Sequence, residues 1–254
     1  MTTTETGGSG DVSRSLELLW GTGERPSRGP KPGLTLDRIV TAAVEVADAE
    51  GLAAVSMRRL STELGVGTMS LYRYVPGKAE LLDLMLDRVQ GAPLDAASHA
   101  PEGDWPAAVE QLARAHLELF RSHAWLLNVN QTRTVLGPSS VRGLDVALTA
   151  LQGMGLSDPE LIAVIITVQS HVYGIARLEI QAAEAVKETG LTDDEFWGQQ
   201  QPFLERAMLS GEYPMVAALS EDAFGAFDTF GFGLRRLIAG FEALVKERAE
   251  GGGG

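Results

Sequence analysis

Hydroxyl, basic and aromatic side chains crowd into one short stretch, Ser56-Met-Arg-Arg-Leu-Ser-Thr-Glu-Leu-Gly-Val-Gly-Thr-Met-Ser-Leu-Tyr-Arg-Tyr-Val-Pro-Gly-Lys78. Arginine can fork onto a guanine edge, serine and threonine can bond to several bases, and apolar groups can touch a thymine methyl. Lysine, serine and tyrosine can hold phosphate oxygens. The spacing is that of two helices joined by a glycine turn, with Leu60, Leu64, Val66 and Leu71 closing the angle between them. Thr68, Met69, Ser70, Arg73 and Tyr74 are then left on the outer side and first turns of the second helix, the part that enters a major groove in a helix-turn-helix. An ordinary helical hairpin would show the same spacing.

Other chemistry is sparse. The four histidines are His99, His116, His123 and His171; His116 and His123 could share a helix face, but no carboxylate stands at ligand spacing. There is no serine elbow and no phosphate loop, since Gly231-Phe-Gly233 falls inside a helical pattern. The absence of cysteine removes thiolate zinc sites, cysteine nucleophiles and disulfides, and fits a reducing compartment. No catalytic residue, metal or cofactor is expected. An all-α enzyme, or a helical protein that binds small molecules or partners without DNA, are the rival readings; the missing catalytic motifs speak against the first and the intact Leu71–Lys78 motif against the second.

The elements that must carry these residues are helical, because apolar residues recur every three or four positions from Thr35 onward. Thr35 can cap a helix ended by Gly51, Ser56 one over Met57–Leu64, and Thr68 a short one to about Tyr74. Pro76-Gly77 breaks the chain before Lys78–Gln90. Further helices should start at Asp104, at Pro138 (to Met154), at the capping boxes Ser157–Glu160 (to about Lys187) and Thr192–Glu195 (to Leu209), and near Asp222 (to Arg248). The fold class is all-α, with a helix-turn-helix domain over 34–90 and a larger domain over 91–250. Residues 1–33, rich in Thr, Gly, Ser and Pro, read as a mostly disordered extension with one amphipathic island, Leu16–Trp20, that could be a short helix docking on the body. Its Arg25, Arg28 and Lys31 form either a solvated linker or a basic arm for DNA.

A net charge of −13 opposes nucleic-acid binding in sum, but basic residues are denser in the first third, and most of the acid lies after residue 90. No basic-then-apolar leader is seen, and the clean apolar run Leu161–Val168 is short of the roughly 20 residues of a membrane span, so a cytoplasmic protein is expected.

The stretch Leu34–Val89 closely resembles the DNA-binding domain of the tetracycline-repressor family of bacterial regulators. The likeness rests on an Ile-Val-x-Ala-Ala helix ending at Glu50-Gly51-Leu52, on Ser56-Met-Arg-Arg-Leu, on Leu64-Gly-Val, and above all on Leu71-Tyr-Arg-Tyr-Val with Lys78-x-Glu-Leu-Leu82. It implies that Arg58, Thr68, Met69, Ser70 and Tyr74 face bases or adjacent backbone, and that Ser56, Tyr72 and Lys78 hold phosphates. It also implies a palindromic operator bound by a homodimer, whose interface would use the helices around 160–188 and 222–248, and release by a small molecule.

A weaker resemblance to the tetracycline repressor's own C-terminal domain continues through Trp125–Glu184 and implies a ligand cavity. Polar residues interleaved with apolar ones make His116, Trp125, Asn128, Gln131, Arg133, Gln169, His171, Glu179 and Trp197 its candidate lining. Arg133 and Gln90 stand where the family's metal-ligating and ring-binding histidines would be, so no metal is expected. The Asp193–Glu195 run would suit a cationic ligand, or simply a helix start.

Overall fold

The computed structural model describes residues 5–22, 33–90, 103–220, 223, 225 and 227–251. Among them are eleven α-helices: α1 (Val12–Trp20), α2 (Leu36–Glu50), α3 (Met57–Glu63), α4 (Thr68–Tyr72), α5 (Lys78–Gln90), α6 (Trp105–Ser122), α7 (Pro138–Leu151), α8 (Asp158–Thr189), α9 (Asp193–Leu209), α10 (Pro214–Ala217) and α11 (Thr229–Gly251). Two short strands, β1 (Glu5–Thr6) and β2 (Val129–Asn130), pair in parallel.

Local chemistry sets the helix ends. The Thr35, Ser56 and Asp104 side chains accept from the first-turn amides of Arg38, Arg59 and Ala107, and Ser157 and Thr192 form full capping boxes with Glu160 and Glu195. Ile39, Leu60, Leu71 and Leu81 are fully buried where α2–α5 meet, so the short α4 is held by packing rather than by its own length. In the larger domain α8 crosses α6 and α11, burying Leu161, Val164, Ile165, Val168 and Val172. This stripe of a helix expected to take part in the dimer interface is therefore core of the protomer. Leu234 is buried as well, and Ile238, Phe241 and Val245 pack against the same core.

Three expectations change. The last helix starts at Thr229, so Phe227 lies outside it and is exposed; Phe224 and Asp222 fall outside the described residues. The extension is ordered beyond its island: β1 folds onto the body as well as α1, which begins at Val12 rather than Leu16 and packs against α5. Its Arg25, Arg28 and Lys31 fall outside the described residues. Finally, α8 as a whole is long and apolar enough by composition to cross a membrane, although Leu161–Val168 alone is not. Its apolar face is spent on the protein core, and a polar stripe on another face lines a cavity.

Candidate DNA interface and ligand cavity

The outer face of α3 and α4 presents Arg58, Met69, Tyr72 and Arg73 to solvent, with Met69 76% exposed. Beside Arg58, Arg59 is committed elsewhere: it bonds Glu50 and Glu63, which raises its own pKa, and its hydrogen bond lowers that of the Glu50 carboxyl. Ser56 caps α3 through its hydroxyl. The Thr68 hydroxyl donates to Ser61 Oγ at 3.1 Å and ties α4 to α3, and half-buried Ser70 sits one turn in. Tyr74 departs from the outward placement expected of it. Half-buried, it donates its hydroxyl to the Leu34 carbonyl at 3.1 Å and so anchors the start of the domain. Lys78 is engaged too, with its ammonium 2.6 Å from Glu5 and 3.3 Å from the Leu52 carbonyl.

Between α6, α7 and α8, with Gln90 of α5 at its edge, lies a cavity of about 1250 Å³. Of the nine sequence candidates, His116, Asn128, Gln131 and Gln169 line it. The other five lie elsewhere, each for a structural reason. Trp125 is buried and donates to Asp48 of α2 at 2.8 Å, joined there by His123 at 2.7 Å. Glu179 makes a two-pronged pair with Arg121, both bonds 2.9 Å. His171 stacks on Phe230 and bonds its carbonyl at 3.1 Å, filling the space that Gly233 leaves open. Trp197 is exposed on α9, packed edge-on against Phe196, and the Arg133 side chain is not part of the wall.

The lining that sequence reasoning missed includes one stripe of α8. Tyr173, Arg177, Gln181 and Glu184 continue from Gln169 at helical spacing, the signal that could have found them. The Tyr173 hydroxyl donates to the Leu127 carbonyl at 3.3 Å and accepts from Arg177 at 3.2 Å, which fixes the wall geometry. At the other end Gln90, Ser140 and Gln131 form a chain. Gln90 donates to Gln131 at 2.7 Å, and the Ser140 hydroxyl donates to Asp87 at 2.8 Å with Gln90 Oε1 3.3 Å away. Through this chain the cavity touches α5, the helix that begins at Lys78.

His116 lies deep in the wall, and burial lowers its pKa. Its Nδ1 lies 2.9 Å from the Leu112 carbonyl and must donate to it, so Nε2 is left to accept from the Gln169 amide at 3.3 Å. Both contacts suit a neutral ring with the proton on Nδ1. Among the described residues no group of three or more His, Asp or Glu stands ready to hold a metal ion.

Residues 39–85 match the family model described as bacterial regulatory proteins, tetR family, and residues 97–245 match the tetracyclin repressor-like C-terminal domain. The HTH-type transcriptional repressor DrrR1 of Streptomyces coeruleorubidus is 59% identical over 246 residues, 96% of this chain and 91% of the relative. Apo ActR of Streptomyces coelicolor superposes with a TM-score of 0.63 at 31% identity, over 85% of this chain and 99% of that one. ActR in complex with actinorhodin superposes with a TM-score of 0.64 at 30% identity, over the same shares. The chain belongs to the tetracycline-repressor family of bacterial DNA-binding transcriptional regulators.

Proposed function

We propose that the chain is a cytoplasmic homodimeric repressor that binds a palindromic operator and leaves it when a small molecule enters the cavity. The observation that carries this reading is the pairing of an exposed Arg58, Met69, Tyr72 and Arg73 face with a large cavity wired to the same domain through Gln131, Gln90, Ser140 and Asp87. Arg58 and Met69 read base edges, Thr68 and Ser70 set the pitch of α4 and approach the groove wall, and Ser56, Tyr72, Arg73 and Lys78 hold phosphates. Tyr74 acts through the Leu34 carbonyl rather than on DNA. In two copies related by symmetry the two α4 helices would enter major grooves roughly 34–36 Å apart.

The effector is a drug- or metabolite-sized molecule held by His116, Asn128, Gln131 and Gln169, with the Tyr173–Glu184 stripe beside them. A ligand favours the dimer geometry to which it binds better, and a coupling of about 1–3 kcal/mol suffices to weaken DNA binding by an order of magnitude. Because ActR has been solved with actinorhodin, that compound is the first to try. The test is footprinting of the purified chain on the DNA upstream of its own gene, with and without actinorhodin and a library of similar size. A protected palindrome that a compound abolishes is expected; a chain that protects nothing, or protects all DNA alike, refutes the reading.

A further inference from the structure

Residues 5–20 join the two domains along a route of their own. Glu5 and Thr6 pair with Val129 and Asn130, and the Gly7 amide donates to the Asn130 carbonyl at 3.1 Å. Asn130, Thr132 and Leu136 line the cavity, so this strand is laid on the outside of its wall. Trp20 closes the far end by donating to the Leu136 carbonyl at 3.1 Å.

On its other side the segment grips α5. The amides of Gly8 and Asp11 donate to Asp83 at 2.8 Å and to Glu80 at 3.0 Å, and the Ser15 hydroxyl donates to Asp83 at 2.7 Å. Ser15 is wholly buried and Asp83 is 1% exposed, so these bonds are not surface decoration. The glycines are required by the route: Gly8 has φ +66°, and a Cβ there would meet the Arg133 carbonyl at 3.0 Å, while one at Gly10 would overlap Glu80. The strand places the Glu5 carboxylate 2.6 Å from the ammonium of Lys78.

We propose that Glu5–Trp20 is an autoinhibitory strap, in which the Glu5 carboxylate takes the place of a DNA phosphate at Lys78 and the pairing with β2 lets the state of the cavity wall decide how firmly Lys78 stays covered. The proposal rests on the DNA-regulator reading and adds a covering element to it. A carboxylate and a phosphate oxygen compete for the same ammonium. The Glu5–Lys78 pair is about a third exposed and weak by itself, so phosphates can displace it. Tethering on the strap keeps Glu5 at high local concentration until they do. A molecule that orders the wall around Asn130 and Leu136 stabilises the strand pairing, keeps Lys78 covered and lowers DNA affinity. Reciprocally, DNA that displaces Glu5 loosens the strap.

The test uses the full chain and a random-sequence duplex of 20 base pairs. Glu5→Gln should bind this duplex at least about threefold more tightly, and Glu5→Gln combined with Lys78→Ala should lose the gain. Hydrogen exchange at the Gly7 and Gly8 amides should accelerate when the parent chain binds the duplex. Equal affinity of Glu5→Gln and parent, a gain that survives Lys78→Ala, or exchange left unchanged or slowed by DNA would each overturn the strap. A parent chain that prefers no sequence would instead refute the regulator reading, because none of these measurements depends on operator specificity.

Discussion

Lys78 and Arg58 both put positive charge near the candidate interface, yet their surroundings differ. Lys78 begins α5, where the helix dipole and free backbone amides favour a phosphate, whereas Arg58 stands exposed on the outer face of α3. Lys78→Ala should weaken binding to operator and random duplex alike and lower the salt slope by about one unit. Arg58→Ala should cost about 1–3 kcal/mol on the operator and little on random DNA. Salt titrations on both duplexes decide this, and equal losses for the two variants would contradict the division. His116 offers a second prediction at this scale. Its pKa is lowered in the folded chain, so below its ordinary value near 6.5 the unfolded chain binds more protons. Stability from this group is complete above that value and declines as pH falls below it. The denaturant midpoint should drop between pH 7.5 and 5.5, and His116→Gln should flatten that slope.

At the scale of elements, α5 is the joint. Three of its carboxylates, Glu80, Asp83 and Asp87, are buried on faces turned toward α1 and α7, and each is satisfied by groups of another element. Asp87 caps α7 from outside, accepting from the amides of Ser139 and Ser140 and from the Ser140 hydroxyl. A negative charge at a helix N-terminus meets both the free amides and the dipole. Gly137 makes room for it, since a Cβ at that position would overlap the carboxylate. Asp87→Ala should lower the unfolding free energy by about 1–3 kcal/mol, because buried donors lose their acceptor. Chemical denaturation measures this, and a loss within error of zero would mean that water replaces the cap at no cost.

At the scale of the molecule, the protomer leaves apolar surface uncovered. Leu178 is 65% exposed on α8, Phe232 is 48% exposed on α11, and α9 buries none of its residues. These outward faces, rather than the buried stripe through Val168, are where a second copy should pack in the proposed dimer. Sedimentation should find a dimer, and Leu178→Glu with Phe232→Glu should shift it toward monomer while the helical signal survives. A double variant that stays dimeric would move the interface off these helices.

The sequence by itself determined what depends on a few neighbouring residues. The caps at Thr35, Ser56, Ser157 and Thr192, the turn at Gly65 with φ +64°, and the Leu60–Leu71 angle were all legible, because each is decided within about one turn of chain. The Leu71–Lys78 motif made the family legible too. Tertiary structure alone decided which polar groups meet. Trp20 finds the Leu136 carbonyl across 116 residues and Gly8 finds Asp83 across 75, contacts no local pattern announces. A Gly-Gly-Ser-Gly run that reads as slack chain instead threads between α5 and the cavity wall, where a Cβ at Gly8 would meet the Arg133 carbonyl and one at Gly10 would overlap Glu80. Equally, Tyr74, Trp125 and His171 have the chemistry of binding residues but are taken up by Leu34, Asp48 and Phe230, since a buried polar group must find a partner and the fold supplies the nearest one.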